Sequence, residues 1–173
     1  MNIKNKLISA AESLFDRNGF TATGMDRLTQ AAGISRTLYK HAGSKSALIA
    51  KVLTERDKRF LRRLEVRSVD ALFKALEDWV RVEGCRGCLF LRAYGETGGD
   101  IPEIAEVMSA HKEGLWNKIQ EIVTIETGGL DDPGLAEQVL ILFEGATSVA
   151  VYRGAEAVEK ARNAAVAIVS RAK

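Results

Sequence analysis

The stretch from residue 23 to residue 45 constrains the fold more than any other part of the chain. Thr23 can cap the start of a helix, and Asp26 lies three residues later, where a carboxylate suits the positive end of the helix dipole. Apolar residues at helical spacing follow, and Gly33 can end this helix because glycine adopts a positive φ at little cost. Ser35 is then a natural N-cap for a second helix. The pattern predicts two short helices joined by a tight turn.

The second of these helices is predicted to be basic and rich in hydrogen-bonding side chains. Its polar members are Arg36, Thr37, Tyr39, Lys40 and His41, and only Leu38 is clearly apolar. A helix, a short turn containing glycine and then a polar, basic helix form the helix-turn-helix pattern. In that motif the second helix enters the major groove of DNA.

Several short motifs in this region resemble those of a known family. They are Gly19-Phe20, Gly33-Ile34-Ser35, Thr37-Leu38-Tyr39, His41, and Ser44-Lys45 followed by Ala47-Leu48. Residues 5–53 are similar to the DNA-binding region of the tetracycline-repressor-like (TetR) family of bacterial transcription regulators. The remainder resembles the family's helical regulatory domain more loosely, through RGCLF near Cys88 and LFEGA near Gly145.

Two departures from the family pattern fall on the second helix. One residue is missing between the positions of Ser35 and Thr37, and Ala42 stands where the family usually has an aromatic residue. Removing one residue rotates the rest of a helix by about 100° around its axis. We therefore expect a shorter or less rigid recognition helix than is usual in the family.

Helix signals continue through the chain, and they predict an all-α fold. We expect an N-terminal three-helix DNA-binding head with a helix-turn-helix, linked by a fourth helix to a C-terminal helical bundle, about nine helices in total. Predicted helix starts lie at Ser44, Ser68, Asp100-Pro102 and Asp132-Pro133, and predicted ends lie at Gly84, Gly98-Gly99, Gly128-Gly129 and Gly154. The predicted domains are residues 1–50 for DNA binding and residues 51–173 for ligand binding and dimerisation.

Charge is distributed unevenly along the chain. Residues 1–63 hold 13 Lys and Arg against 5 Asp and Glu, a net charge of +8, while residues 64–173 hold 12 against 18, a net charge of −6. A basic N-terminal third is typical of a DNA-binding head on a solvated body. No uninterrupted apolar run approaches the roughly 20 residues that span a bilayer, so we expect a cytoplasmic protein without a membrane partner.

The last two predicted helices are apolar on more than one side. Leu140, Ile141, Ala146, Val149 and Val151 spread around the first of them, and alanines spread around the second. Such a helix is buried on two faces, either as a central core helix or against a partner chain. The resemblance favours a partner, because TetR-like proteins form homodimers through their last two helices as a four-helix bundle.

Bulky and polar-tipped side chains are concentrated between the fifth and eighth predicted helices. They are Trp79, Phe90, Tyr94, Met108, His111, Trp116 and Phe143. The resemblance implies that such residues line a pocket for a small-molecule effector, although aromatic residues at helical spacing more often belong to a core. His111 on an apolar stripe is most often a core histidine with its hydrogen bonds satisfied.

Cys85-Arg86-Gly87-Cys88 is a C-x-x-C motif with three interpretations. It could be a redox pair, part of a metal site, or two ordinary cysteines, and the last is the default. A structural zinc needs four ligands, and the only candidates are Cys85, Cys88, His41 and His111, of which His41 lies in the predicted DNA-binding head. We expect neither a metal nor a cofactor, and no nucleophile and base pair indicates an enzyme.

The resemblance and the residue types together give an expected function. It is a homodimeric repressor that binds a palindromic double-stranded DNA operator and is released by an unidentified small-molecule effector. Arg36, Thr37 and Lys40 are expected at base edges, and Thr23, Tyr39, His41 and Lys45 at phosphates. Two alternatives remain open. The protein could be a helical sensor or interaction protein with weakened DNA reading, or a thiol-based redox sensor acting through Cys85 and Cys88.

Overall fold

The computed structural model describes residues 3–35 and 43–173 of the chain. Within these residues the secondary structure is α-helical and no β-strand occurs, so the predicted all-α fold class is confirmed. The helices are α1 (Ile3–Asn18), α2 (Met25–Ala32), α3 (Lys45–Arg63), α4 (Val69–Glu83), α5 (Leu89–Glu96), α6 (Pro102–Glu126), α7 (Pro133–Arg153) and α8 (Glu156–Ser170). The predicted recognition helix falls on residues 36–42, which lie outside the described residues.

Three of the predicted N-caps are present as hydrogen bonds. The side-chain oxygens of Ser44, Ser68 and Asp132 each accept from the backbone N–H three residues later, at 3.0 to 3.1 Å. Each bond satisfies one of the backbone donors that a helix start leaves without an intrahelical partner. These local bonds fix where α3, α4 and α7 begin, and they confirm the sequence-based starts.

The predicted start of α2 is wrong in its details. Gly24, not Thr23, occupies the N-cap position, and it supplies no side-chain hydrogen bond. The Thr23 side chain is fully buried, and its hydroxyl donates to the carbonyl oxygen of Gly19 at 2.6 Å. A threonine hydroxyl can accept from a backbone N–H of the following helix or donate to a carbonyl oxygen of the preceding turn, and Thr23 does the second. Met25, the first apolar residue of α2, is 45% exposed, whereas Leu28 on the same helix is fully buried.

The chain forms two compact units, each made of two segments. The first unit combines Met1–Lys58 with Leu89–His111. Its buried apolar residues come from α1, α2, α3, α5, the start of α6 and the turn that holds Phe20. The rings of Phe15 and Phe20 stack with centroids 4.9 Å apart. The predicted boundary near residue 50 divides the chain by function and stays a prediction. The compact units divide it differently, because the first unit also includes Leu89–His111.

The second unit combines Arg59–Cys88 with Lys112–Lys173. One continuous apolar cluster fills it, drawn from the end of α3, from α4, from the later part of α6, and from α7 and α8. Arg162 on α8 reaches Asp70 at 3.6 Å and Glu77 at 3.9 Å, so ion pairs add to the apolar contact between α8 and α4.

Helix α7 is the most apolar long helix among the described residues. By length and composition it alone among them could cross a membrane, with a mean hydropathy of 1.3 over a window of which 33% is buried. One such helix is weak evidence of a membrane span, because core helices of soluble proteins have the same character. The low buried fraction means that much of this apolar surface is uncovered in the single chain.

Candidate nucleic-acid interface

Helix α2 ends in a glycine turn at the position where the sequence predicts one. Gly33 adopts the left-handed conformation, with φ 63° and ψ 36°. Its N–H bonds to the carbonyl oxygen of Gln30 at 3.1 Å, and the N–H of Ile34 bonds to that of Thr29 at 3.0 Å. These bonds satisfy carbonyl groups that the helix end would otherwise leave unpaired. The sequence prediction that Gly33 ends the first helix is confirmed.

Five of the seven predicted DNA-binding residues lie outside the described part of the chain. These are Arg36, Thr37, Tyr39, Lys40 and His41. Of the other two, Thr23 is buried in the turn before α2 and is hydrogen-bonded to Gly19. A phosphate contact by the Thr23 side chain stays a prediction, and it would require this turn to open.

Lys45 is the first residue of α3 and is half-buried. Its ammonium donates to the carbonyl oxygen of Thr21 at 3.4 Å. Burial lowers the pKa of Lys45 from its ordinary value, and the nearby Glu96 carboxylate opposes this shift. The backbone N–H groups at the start of α3 add a partial positive charge. Lys45 and this helix start together form a site suited to an anion, which fits the predicted phosphate contact.

A carboxylate from α5 occupies neighbouring donors in the first unit. Glu96 Oε2 accepts from the N–H groups of Phe20 at 2.7 Å and Thr21 at 2.9 Å, and from the Thr21 hydroxyl at 3.2 Å. Gly19 has φ +86°, and a Cβ there would lie 3.0 Å from Glu96 Oε1. A larger residue at position 19 would therefore crowd the carboxylate. Sequence reasoning did not identify Glu96, because its partners lie about 75 residues away in the chain.

A second contact attaches α5 to the same part of the chain. Arg92 Nη1 donates to the carbonyl oxygen of Asp16 at 3.0 Å and lies 3.5 Å from its carboxylate. A cavity of about 360 Å³ lies beside these contacts, and Thr21, Lys45 and Thr97 are among its lining residues. The turn before α2, the start of α3 and the segment containing α5 therefore form one connected arrangement within the first unit.

A buried ion pair joins α1 to α3. Arg56 Nη1 lies 2.9 Å from Glu12 Oε1, with side-chain exposures of 7% and 13%. A buried guanidinium is tolerated only when its charge and hydrogen bonds are compensated. This pair therefore fixes how α3 packs on α1, and so where the start of α3 lies.

The residues predicted to line an effector pocket fall in both units. In the first unit, the ring of His111 stacks on that of Phe90 at 3.7 Å with an interplanar angle of 3°. His111 is buried, and its Nδ1 lies 2.7 Å from Asp57 Oδ1. This agrees with the interpretation of His111 as a core histidine with a hydrogen-bond partner. Tyr94 is 38% exposed, and Met108 is half-buried.

The other predicted pocket residues belong to the second unit. Trp79 and Phe143 each pack edge-on against Phe60, with centroid separations of 5.2 and 6.2 Å. Phe143 also meets Phe73 at 5.7 Å, and Trp116 packs on the same cluster. These contacts place Trp79 and Phe143 in the core, and their role toward an effector stays a prediction.

The two cysteines lie between α4 and α5, and neither is in a disulfide. Both are half-buried, and the ammonium of Lys112 lies 3.5 Å from Cys88 Sγ. Among the described residues, no three His, Cys, Asp or Glu side chains are grouped to hold a metal ion. Sequence reasoning did not foresee Lys112, which is 24 residues from Cys88.

Several solved structures of transcription regulators share this fold. A TetR-family transcriptional regulator from Streptomyces coelicolor aligns with a TM-score of 0.87 at 22% identity, over 98% of this chain and 95% of that one. A TetR transcription regulator from Haloarcula marismortui gives 0.74 at 18% identity, over 98% and 97%. Regulatory protein TetR from Rhodobacter sphaeroides gives 0.73 at 19% identity, over 97% of each chain. At identities of 18–22%, these alignments establish the shared fold alone. No curated protein sequence matches the chain.

A predicted helix-turn-helix near the N-terminus of an otherwise helical chain is typical of DNA-binding regulators. Residues 7–52 match the model of the bacterial regulatory proteins of the tetR family. This match assigns residues 7–52 to the tetR family, and the whole chain has the fold of TetR-family regulators. The resemblance inferred from the motifs is confirmed.

Proposed function

We propose that the protein is a homodimeric, sequence-specific transcriptional repressor that binds a palindromic operator and is released by a small-molecule effector. The family and fold support a DNA-binding regulator. The observation that carries the proposal further is the uncovered apolar face of α7 and α8, which is suited to a second copy of the chain. A two-fold dimer would present two recognition helices to successive major grooves about 34–36 Å apart.

The face that we assign to dimerisation combines exposed large side chains with small ones. Ile141 is 63% exposed, and Tyr152 is 73% exposed. Between α7 and α8 runs a groove of about 570 Å³, lined in part by Gly145, Ala157 and Ala161. Small residues allow a partner helix to approach closely, and large exposed apolar side chains are stabilised when a partner removes them from water.

Ile141→Glu tests this face, and Val82→Glu is its matched control. Val82 is also an exposed apolar residue of the second unit, 68% exposed on α4. A charge buried without a partner at an interface should weaken dimerisation roughly 100-fold, as measured by sedimentation velocity over a range of concentrations. Val82→Glu should leave the dimer intact. Equal behaviour of the two variants, or a monomeric wild-type protein, would contradict the proposed dimer.

DNA reading is assigned to the predicted recognition helix. We expect Arg36, Thr37 and Lys40 to contact base edges, and Tyr39, His41 and Lys45 to contact phosphates. Selection of bound duplexes from a random library, followed by a salt titration on the selected duplex, tests this assignment. A palindromic duplex with steep salt dependence is expected. Loss of enrichment while the dimer stays intact would instead favour the helical interaction protein, which the shortened recognition helix also allows.

Two substitutions separate the predicted base contacts from the phosphate contacts. Arg36→Ala should relax preference at one operator position, because arginine is the usual bidentate partner of guanine. Tyr39→Phe should weaken binding to all duplexes about equally, because a phosphate contact carries no sequence information. Equal effects of both variants on selected and random DNA would refute the assignment.

Effector binding can be followed with the two natural tryptophans, Trp79 and Trp116, which are both among the predicted pocket residues. A compound that releases the selected duplex should also change tryptophan fluorescence over the same concentration range. Trp116→Phe should reduce the fluorescence change more than it reduces DNA binding. Release by a compound that leaves the fluorescence of both tryptophans unchanged would place the effector elsewhere.

A further inference from the structure

The C-x-x-C segment brings together a set of chemically active groups that DNA binding does not use. Lys112 Nζ donates to Cys88 Sγ at 3.5 Å and to Glu144 Oε1 at 2.5 Å. The side chains of Lys112 and Glu144 are 25% and 29% exposed, and Cys88 is half-buried. Cys85 lies three residues earlier. The second unit therefore holds a thiol, an ammonium and a carboxylate in one cluster that solvent can reach, and a second thiol lies three residues from the first in the chain.

The surroundings of Cys88 favour a negative charge on its sulfur. An ammonium within hydrogen-bonding distance stabilises a thiolate, and the Glu144 carboxylate, which binds the same ammonium, partly offsets this effect. Cys88 also directly precedes α5, whose first backbone N–H groups carry a partial positive charge. Thiolates with adjacent cations at helix starts react as nucleophiles, whereas cysteines buried in apolar surroundings do not.

The segment also provides a second thiol on a turn that glycines allow. Gly84 and Gly87 both adopt positive φ, at 93° and 75°, a backbone conformation that glycine adopts without strain. In C-x-x-C motifs the two sulfurs are close enough in sequence to form a disulfide without moving distant elements. We propose that Cys88 is a hydroperoxide-reactive thiol, that Lys112 activates it, and that Cys85 resolves its oxidised form.

The proposed chemistry has two steps. The Cys88 thiolate attacks the outer oxygen of a hydroperoxide, an S–O bond forms, the O–O bond breaks, and the leaving group departs as water or an alcohol after taking up a proton. Sulfur is oxidised by two electrons, and the hydroperoxide is reduced. The Cys85 sulfur then attacks the sulfenic acid, an S–S bond forms, the S–O bond breaks, and the hydroxyl leaves as water with the Cys85 proton.

A regulatory consequence arises from where these residues lie along the chain. Cys88 is the last residue of the second unit before Leu89–His111, and Lys112 is the first residue after them. That intervening segment carries Glu96, which binds the turn before α2. Cys88 and Lys112 therefore stand at the two ends of Leu89–His111. Disulfide formation would replace the Cys88 thiolate and so remove the contact that joins these two ends. This consequence rests on the proposed DNA-binding function, whereas the thiol chemistry does not.

The test uses the full-length protein with hydrogen peroxide as the probe. Mass spectrometry should find a Cys85–Cys88 disulfide within one chain of the wild type. In Cys85→Ser, dimedone should trap a sulfenic acid on Cys88. Preferential trapping on Cys85 in Cys88→Ser, equal oxidation of both thiols at the rate of a simple thiol, or cross-linking between chains alone would overturn the proposal.

Lys112→Met and Lys118→Met form a matched pair for the activating role. Lys118 lies on the same helix, is 26% exposed and also pairs with a carboxylate, that of Glu121 at 2.8 Å. Lys112→Met should slow oxidation of Cys88 about tenfold at neutral pH, and Lys118→Met should leave the rate unchanged. Glu144→Gln should accelerate it, because the ammonium then interacts with sulfur alone. Equal rates of Cys88 oxidation in wild type, Lys112→Met and Glu144→Gln would refute the role of Lys112. If Lys112→Met does not fold, an unchanged rate in Glu144→Gln alone refutes it.

The DNA measurement is kept separate from the chemical one. Oxidised wild type should change its affinity for the selected duplex, and peroxide-treated Cys88→Ser should not. If the reduced protein selects no duplex, the proposed DNA-binding function is wrong. Mass spectrometry still tests the reaction of Cys85 and Cys88 with peroxide in that case. If the disulfide forms and affinity stays the same, the regulatory consequence is wrong.

Discussion

Glu96→Ala removes the carboxylate that binds the turn before α2, and its effect can be estimated from three contacts. The Phe20 N–H at 2.7 Å is partly buried, while the Thr21 N–H at 2.9 Å and the Thr21 hydroxyl at 3.2 Å are exposed. Water can replace the carboxylate at the two exposed donors but not fully at Phe20. A lost hydrogen bond to a charged acceptor is worth about 1.5–3 kcal/mol, so we expect a loss of about 2–3 kcal/mol in the free energy of unfolding.

Thermal unfolding followed by circular dichroism measures this loss. For a chain of this size, 1 kcal/mol shifts Tm by about 2–4 °C, so a loss of about 2–3 kcal/mol in Glu96→Ala should lower Tm by roughly 4–12 °C. Glu96→Gln retains one acceptor oxygen and should lose about half as much. The control is Glu106→Ala, an exposed glutamate on α6, which should change Tm by no more than about 2 °C.

Hydrogen exchange locates the effect. In Glu96→Ala the backbone amides of Phe20 and Thr21 should exchange at least about tenfold faster, while amides in the middle of α4 change only with global stability. Unchanged exchange at these two amides, or equal Tm values for the Glu96 and Glu106 variants, would show that the contact contributes nothing in solution. The reasoning that connects α5 to the DNA-binding region would then be refuted.

Three further substitutions test the first unit. Gly33→Ala should lower the free energy of unfolding in urea by about 1–2 kcal/mol, because alanine is strained at φ +63°. No neighbour lies within 4 Å of the added Cβ, so backbone strain alone acts. Gly24→Ser should raise the free energy of unfolding slightly by supplying the missing N-cap oxygen. Glu12→Ala should lower the free energy of unfolding by about 3 kcal/mol, because it leaves the buried Arg56 guanidinium without this carboxylate. Lys45→Met should weaken binding to all duplexes and reduce the slope of log affinity against log salt by about 0.9 per chain, as measured by fluorescence anisotropy; an unchanged slope would exclude a phosphate contact.

The helices were predictable where their signals are local. Ser68 and Asp132 each bond to an N–H three residues later, so the sequence pattern contains both partners of the bond. Gly33 was predictable for the same reason, since a positive φ restricts the choice of residue. Thr23 was predicted wrongly because its hydroxyl had two local partners available, and only the packing of the turn decides between them.

The contacts that define the candidate site were less predictable. Glu96 is an ordinary glutamate near the end of a short helix, and nothing in its neighbourhood indicates that it binds an amide 76 residues away. Periodicity also fails to separate a core residue from a pocket residue, because both face inward from a helix. Phe143 fits either interpretation in sequence, and its ring contacts with Phe60 and Phe73 place it in the core.

Charge provides the strongest contrast between sequence and structure. Residues 1–63 carry +8, but the first compact unit excludes Arg59, Arg62 and Arg63 and gains Leu89–His111, where one arginine accompanies four acidic residues. With 11 Lys and Arg against 9 Asp and Glu, this unit carries only +2, and the second unit, with 14 of each, is neutral. Attraction to DNA therefore depends on where individual cations lie, such as Lys45 at the start of α3, more than on the net charge of the unit. Counterion release scales with the number of phosphates neutralised, so the salt slope should depend on the number of contacting cations. A slope unchanged by removal of Lys45 but altered by acidic substitutions far from the helix-turn-helix would instead indicate a general electrostatic attraction.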